Sequence, residues 1–166
     1  MKVYVLEREQ TISRSKRETF SFFSDASNLE RITPPFLRFK ILTKSPIEMK
    51  SGTLIKYRIK LFGIPLNWLT KIELWEPEDF FVDTQLTGPY SLWRHSHTFE
   101  EIRPNQTLIR DTVEYSLPFG VLGMLTHELF VKHTLKIIFD YRAKMTAQLL
   151  EAQVYPIAQS SQPGTD

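Results

Sequence analysis

Apolar and polar residues alternate in short runs through most of the chain and change to a helical period near its C-terminal end. The first run, residues 4–12, alternates as a half-buried strand does. Ser15 follows this run and stands three residues before Glu18, which is the spacing of a capping box at the start of a helix. The pattern therefore predicts a strand and then a short helix whose apolar side is formed by Phe20 and Phe23.

A second short helix is predicted over residues 28–32. Asp25 or Ser27 supplies its N-cap, because both side chains can accept hydrogen bonds from free backbone N–H groups. Pro34 and Pro35 end this helix, because proline has no N–H to donate. Two small helices therefore follow the first strand.

Six strand-like runs come after the prolines, separated by turn sequences rich in Gly, Pro, Asn and Asp. They occupy residues 36–42, 53–62, 66–75, 80–86, 91–102 and 107–117. Their connections are too short for parallel crossovers, which need about a dozen residues or more. Successive strands must pair as hairpins, and we expect one curved antiparallel sheet.

The period changes near Leu125, from which apolar residues recur every three or four positions to about Val154. This spacing predicts one long helix. Its apolar stripe, residues 137–139 with Leu149 and Leu150, should face the sheet. The polar side carries Lys132, Lys136, Asp140 and Lys144.

Length and composition fit one globular domain, with 166 residues of which 42% are hydrophobic and 24% charged. We expect this domain to span residues 1–154 and a disordered tail, poor in large apolar side chains, to span 155–166. Aromatic residues make up 13% of the chain, more than a minimal core needs, so some are available to line a cavity.

Charge and residue content exclude several classes of function. The net charge is only +2, and no run of Lys or Arg could neutralise a phosphate backbone, so we expect no nucleic-acid partner. The absence of cysteine excludes disulfides and thiolate chemistry. The N-terminal apolar run is broken at Glu7, and no segment approaches the ~18 apolar residues of a membrane span. We therefore expect a cytoplasmic protein without stable membrane insertion.

Several motifs resemble those of a known superfamily. They lie at residues 28–35 (NLERITPP), 81–90 (FVDTQLTGPY), 93–99 (WRHSHTF), 111–115 (DTVEY) and 118–120 (PFG). With the order of elements, they resemble the SRPBCC, or START-like helix-grip, proteins and their polyketide cyclase/dehydrase-like members. The resemblance covers roughly residues 3–150. It implies an α+β helix-grip fold, in which about seven antiparallel strands curve around a long C-terminal helix after two short helices.

The resemblance also limits what function to expect. Members of the superfamily bind lipids, steroids, polyketides or quinones in an internal cavity, and some catalyse cyclisation or hydrolysis of the bound molecule. The subgroup that carries these motifs occurs alone or fused to domains similar to nucleotide-sugar epimerases. One fold hosts many sites, so the activity has to be argued from the site itself.

Strand alternation predicts which side chains share the cavity face. Trp93, His95, His97 and Phe99 lie together on one strand, and the neighbouring strands add comparable faces. The expected ligand-binding residues are Trp68, Phe81, Asp83, Gln85, Trp93, His95, His97, Phe99, Asp111 and Tyr115. The floor of the cavity should therefore be polar.

This floor could hold a carboxylate–imidazole pair, formed by Asp83 or Asp111 with His95 or His97. Three interpretations stay open: the polar groups satisfy one another, they orient a ligand, or a histidine acts as a general base. These four residues are the catalytic candidates. Two histidines and one aspartate also match a 2-His-1-carboxylate metal site, but the spacing alone is weak, and we expect no metal and no cofactor.

Two strands and one connection leave alternatives open. Alternation places Trp68 and Leu74 on one face of their strand and Trp75 on the other face. On the preceding strand, alternation does not decide whether Tyr57 or Arg58 points inward. The apolar connection at 117–125 is either a lid at the cavity entrance or ordinary packing beneath the helix.

Three functions follow from these features. The first is binding of an apolar or amphipathic small molecule, lipid-, polyketide- or quinone-like, as a carrier or sensor. The second is a cyclase, dehydratase or hydrolase that uses the His–Asp pair. The third is a protein-interaction module, which would give the domain a protein partner in place of a ligand.

Overall fold

A computed structural model describes residues 2–61, 63–118 and 127–151 of the chain. The strands are β1 (Tyr4–Ile12), β2 (Lys40–Ile41), β3 (Leu54–Leu61), β4 (Ile64–Glu76), β5 (Phe80–Thr87), β6 (Leu92–Arg103) and β7 (Gln106–Ser116). The α-helices are α1 (Lys16–Ser24), α2 (Asn28–Ile32) and α3 (Lys132–Glu151), with a 3₁₀ turn at Pro35–Leu37 and a π-helical turn at His127–Val131.

The seven strands form one antiparallel sheet in the order β1-β7-β6-β5-β4-β3-β2. Strands β2 to β7 are joined as a meander, because each pairs with the next along the chain. The first strand pairs with the last, so β1 and the short β2 form the two edges. This sheet with a long C-terminal helix confirms the expected helix-grip fold.

Helix α1 begins at the expected capping box. The Ser15 hydroxyl accepts a hydrogen bond from the Glu18 backbone N–H at 3.3 Å, and the Glu18 carboxylate accepts one from the Ser15 N–H at 3.2 Å. The helix buries Phe20 and Phe22, whereas Phe23 is only partly buried. Its apolar side is thus wider than the spacing predicted.

The segment after the second helix differs from the prediction. A strand was expected over 36–42, but β2 covers only Lys40–Ile41. The prolines open a 3₁₀ turn at Pro35–Leu37 rather than extended chain, and Arg38 closes this turn in the left-handed region with φ 43°. Extended pairing therefore begins only after the turn is complete.

Strand β4 reverses part of the expected alternation. Its register with β5 shifts between Ile72 and Leu74. An extra residue at such a bulge turns the following side chains to the opposite face. Leu74 is consequently 43% exposed, while Trp75 packs on Phe20 and Phe81 with ring centroids 5.2 and 5.4 Å away. The prediction of Leu74 beside Trp68 was wrong for this reason.

Helix α3 lies against the sheet through a stripe of residues spaced by four, seven and four positions, which lie on one face of a helix. Leu135, Phe139, Thr146 and Leu150 are buried along it. Ile137, which was expected in the stripe, is 42% exposed, because it lies two positions from both Leu135 and Phe139 and so points to the other side of the helix. The buried stripe is what closes the space above the sheet.

Parts of the predictions lie outside the described residues. They include residues 119–125 of the connection that was expected to be either a lid or ordinary packing, and the end of the helix with the tail, residues 152–166. Among the helices of the described ranges, none is long and apolar enough to cross a membrane.

Candidate functional site

A cavity of about 200 Å³ lies between the sheet and α3. The sheet contributes Trp68, Phe81 and Trp93 to its wall, and the helix contributes Leu135, Ile138 and Phe139. An engineered cavity of ~150 Å³ is enough to hold benzene. The space is therefore large enough for an organic ring system.

Four charged or titratable side chains meet on the cavity wall: Asp83, His95, His97 and Asp111, called here the His–Asp quartet. Asp83 on β5 stands directly opposite His95 on β6, and His97 stands opposite Asp111 on β7. Opposed residues on antiparallel strands share a face, so three adjacent strands bring the quartet together. Both histidines are buried.

Each carboxylate of the quartet touches both imidazoles. Asp111 Oδ1 lies 3.1 Å from His95 Nε2 and 2.6 Å from His97 Nδ1. Asp83 Oδ2 lies 3.3 Å from His97 Nε2 and 3.7 Å from His95 Nδ1. Two of these contacts are hydrogen bonds, His95 Nε2 with Asp111 and His97 Nε2 with Asp83, whereas the close contact at His97 Nδ1 lacks hydrogen-bond geometry.

The two imidazoles differ in basicity. Burial opposes a charge on His97, but the carboxylates of Asp111 and Asp83 outweigh it and raise the pKa of His97 to about 9. Burial and the neighbouring His97 lower the pKa of His95 below 6.5. For Asp111, burial opposes ionisation, yet the charge of His97 and the hydrogen bond from His95 hold its pKa well below the usual range. The quartet therefore holds a cationic His97 beside a neutral His95.

These charge states fix where protons sit. A neutral His95 that donates Nε2–H to Asp111 carries its lone pair on Nδ1, the atom 3.7 Å from Asp83. A lone pair and a carboxylate oxygen cannot hydrogen-bond to each other. This point of the cavity wall accordingly calls for a donor from a ligand, such as a hydroxyl group.

Aromatic rings surround the quartet. Phe81 stacks on His97 with ring centroids 4.2 Å apart and an interplanar angle of 23°. Phe139 meets the edge of His95 at 5.5 Å, which places the helix directly over the imidazoles. Charge interactions are stronger in such an apolar enclosure than in water.

The sequence from residue 12 to residue 152 matches the model of the family described as polyketide cyclase/dehydrase and lipid transport. The chain belongs to this family. No curated protein matches the sequence.

Solved structures share the fold of this family member at low identity. The Zhui aromatase/cyclase from a Streptomyces species has a TM-score of 0.75 and 13% identity, covering 95% of this chain and 99% of that one. A START superfamily protein from Mycobacterium smegmatis has a TM-score of 0.67 and 14% identity, covering 90% and 99%. Sequence identities this low show a shared fold but do not show a shared activity.

A longer protein contains a similar domain. The nucleoside-diphosphate sugar epimerase from Corynebacterium glutamicum matches with a TM-score of 0.65 and 24% identity. The match covers 88% of this chain but 29% of the epimerase. A fold of this kind therefore also occurs as one part of a larger chain.

Most of the expected ligand-binding residues of this polyketide cyclase/dehydrase-family chain line the cavity. They are Trp68, Phe81, Asp83, Trp93, His95, His97 and Asp111. Gln85, Phe99 and Tyr115 do not belong to its wall. Gln85 exchanges hydrogen bonds with the Tyr90 backbone, and Phe99 packs on Phe20. Tyr115 stacks on Tyr4 with centroids 5.6 Å apart.

A second polar group lies on β3 and β4. Tyr57 points inward and its hydroxyl lies 3.3 Å from Thr70 Oγ1, while Arg58 is exposed and bonds to Asn67. The Tyr57 ring stacks on Trp68 at 5.6 Å. Burial and the charge of Asp83 raise the pKa of Tyr57, so its hydroxyl stays protonated and available as a donor. The register with β4 settles what alternation had left open.

Arg142 on α3 lines the cavity, although it was not among the expected ligand-binding residues. A long charged side chain in an amphipathic helix is usually assigned to solvent, and the apolar stem that lets it lie along a wall gives no signal of its own. Its position three residues after Phe139 is the available clue, since residues at this spacing share a helix face.

A metal ion fits the quartet poorly. Asp83, His95 and His97 each offer a ligand atom, and these atoms lie within 4.8 Å of one another. However, a metal binds an imidazole through the free lone pair of a ring nitrogen, and a cationic His97 has none, because both of its ring nitrogens carry protons. Hydrogen bonds among the four side chains therefore explain the cluster better than a metal ion does.

Proposed function

We propose that the chain binds an amphipathic small molecule in the cavity, with its apolar body against the aromatic wall and a polar end at the His–Asp quartet. The observation that carries this proposal is the combination of an apolar cavity with a few convergent polar groups. Ligand sites are commonly built in this way, because apolar burial supplies affinity and a small number of polar contacts fixes orientation.

The quartet favours a ligand whose polar end carries a hydrogen-bond donor. The His95 Nδ1 lone pair and Asp83 Oδ2 are both hydrogen-bond acceptors, and they lie 3.7 Å from each other. A ligand hydroxyl or phenol would donate a hydrogen bond there. A donor to a charged group contributes about 1.5–3 kcal/mol, enough to select one orientation of an otherwise apolar molecule.

The tryptophans of the cavity wall make binding measurable. Trp68 and Trp93 line the cavity, so an absorbing ligand inside it should quench their fluorescence. We suggest titration with 6-hydroxy-1,4-naphthoquinone, a bicyclic quinone whose phenolic hydroxyl supplies the required donor, against the protein and two variants. Ala143→Phe adds a ring to the cavity wall from α3, and Gln148→Phe adds the same ring to the exposed side of the helix.

The expected result is saturable quenching of the wild type and of Gln148→Phe, and loss of saturation in Ala143→Phe. Quenching that grows linearly with the hydroxyquinone concentration in all three proteins would reflect random collisions. That outcome would contradict a binding cavity of this size.

A second candidate is an enzyme that moves a proton on the bound molecule. The specific observation in its favour is that neighbouring imidazoles are pushed apart in pKa, that of His97 upward and that of His95 downward. Pairs of this kind supply a neutral base and a charged acid in one site. Cyclase- and dehydratase-type reactions can use both groups, one to remove a proton and one to supply it.

5-Nitrobenzisoxazole is a suitable probe, because removal of its ring proton by a base breaks the N–O bond and yields a coloured nitrophenolate. General-base catalysis contributes about 10²–10⁴-fold. We expect the reaction in the wild type to exceed the buffer rate and to be lost in His95→Gln. Its rate should rise with pH to a plateau, with the midpoint below 6.5. A wild-type rate equal to that of His95→Gln would remove this candidate.

A further inference from the structure

Arg142 brings a positive charge to the cavity wall without an acidic partner. The residue is half-buried on α3 and lines the cavity. Its guanidinium lies 5.4 Å from the centre of the Phe139 ring. Its Nε atom is buried and makes no hydrogen bond within the described parts of the chain. Arginine stays charged in proteins, so this N–H group keeps its proton and remains a hydrogen-bond donor.

Every acidic side chain of the cavity wall is engaged elsewhere. These side chains are Glu9, Asp25, Asp83, Asp111 and Asp140. Glu9 pairs with Arg110 at 2.7 Å, and Asp140 contacts Arg8 and Lys136. Asp25 accepts hydrogen bonds from Ser27, and the other two belong to the quartet. Within the described residues, therefore, nothing in the wall pairs with Arg142.

A second buried donor of the same cavity also lacks a partner. Trp68 Nε1 has no acceptor among the described residues. Tyr57 connects the two donors, since its ring stacks on Trp68 and the charge of Arg142 acts on its hydroxyl. Buried donors in proteins are almost always hydrogen-bonded, and a missing acceptor is costly. The acceptor is then expected on the molecule that fills the cavity.

We propose that Arg142 binds a carboxylate of the ligand, so that the natural ligand is an apolar acid rather than a neutral molecule. This inference rests on the proposed binding function and narrows its ligand class. A carboxylate offers several lone pairs to a guanidinium and to neighbouring N–H donors, and such charge-assisted bonds are about twice as strong as neutral ones. The cation–π contact with Phe139 holds the guanidinium in place but leaves its N–H groups free to donate.

Two probes of equal shape test the proposal, 2-naphthoate and 2-naphthylmethanol, titrated by calorimetry. The variants are Arg142→Gln, which removes the charge, and Lys144→Gln, which removes an exposed charge from the same helix. Arg142→Met, which keeps the apolar stem beside Phe139, replaces the first variant if that variant does not fold.

We expect the wild type and Lys144→Gln to bind 2-naphthoate at least ~10-fold more tightly than the alcohol. Arg142→Gln should lose the preference for 2-naphthoate, because a carboxylate in the cavity would then lack its cationic partner. Equal binding of both probes by the wild type, or a preference that survives in Arg142→Gln, would overturn the carboxylate proposal and leave the binding function standing. Binding of neither probe by the wild type would refute both.

Discussion

The His95 and His97 rings contact each other with centroids 3.8 Å apart, yet their pKa values move in opposite directions. The difference follows from the carboxylates: His97 lies within 3.3 Å of both, whereas His95 lies within that distance of Asp111 alone. One proton on the pair is strongly favoured, and a second is opposed by the first. The pair therefore carries one positive charge, on His97, and leaves His95 neutral.

The first prediction concerns stability against pH. Because the pKa of His97 is raised to about 9, folding favours its protonated form. The protonation of His97 stabilises the folded state fully below pH ~6.5, the pKa of a histidine in the unfolded chain. This stabilisation is lost as pH rises through about 9, the pKa of His97 in the folded protein. We expect the free energy of unfolding to fall by at most ~3 kcal/mol across this window, as measured by urea denaturation.

Two variants separate His97 from other causes. His97→Gln should be less stable at neutral pH and should lose the alkaline decline. His133→Gln, which removes an exposed histidine from α3, should keep it. If the decline persisted in His97→Gln, its source would lie outside the quartet. Below pH 6.5 the lowered pKa of His95 acts in the opposite sense, so stability should also fall toward acid.

The second prediction concerns Asp111, which contacts both imidazoles. Asp111→Asn keeps the shape of the side chain but leaves His97 with one carboxylate instead of two. Removal of one partner from a buried charge pair costs about 3–5 kcal/mol, because the remaining charge is uncompensated. We expect a loss of about that size in urea denaturation, together with a fall in the pKa of His97 followed by NMR.

Glu114→Gln is the matched control for Asp111→Asn, since both residues lie on β7 and each substitution replaces a carboxylate by an amide. Glu114 pairs with Arg94 on the exposed side of the sheet at 3.4 Å. An exposed pair contributes about 0–1 kcal/mol, so this variant should unfold almost as the wild type does. Equal losses in the two variants would show that the quartet has no special role in stability.

The quartet could be predicted from sequence because its strands keep a regular alternation. Strand β6 buries Trp93, His95, His97 and Phe99 in turn, and its register with β7 shifts only beyond Glu101. Period-two alternation is a local property, so it survives as long as no bulge intervenes. The same reasoning failed in β4, where a bulge brings Trp75 into the core and Leu74 to the surface.

Other features of the site depend on contacts between distant parts of the chain. Tyr57 faces the cavity because of its pairing with Trp68 on β4, and alternation alone left two registers possible. Arg142 lines the wall because α3 rests on the sheet through Leu135 and Phe139, which sets the rotation of the helix. Hydrophobic spacing fixes the existence of such a helix more firmly than the role of each polar residue on its flank.

The third prediction tests the central claim, that the cavity holds a small molecule. Native mass spectrometry of protein purified from its own host should reveal one bound molecule per chain, and denaturation should release it for identification. We expect the wild type and Gln148→Phe to carry this molecule and Ala143→Phe to lack it. A wild type without a bound molecule, or a molecule that Ala143→Phe retains in full, would contradict the assignment of this cavity as the binding site.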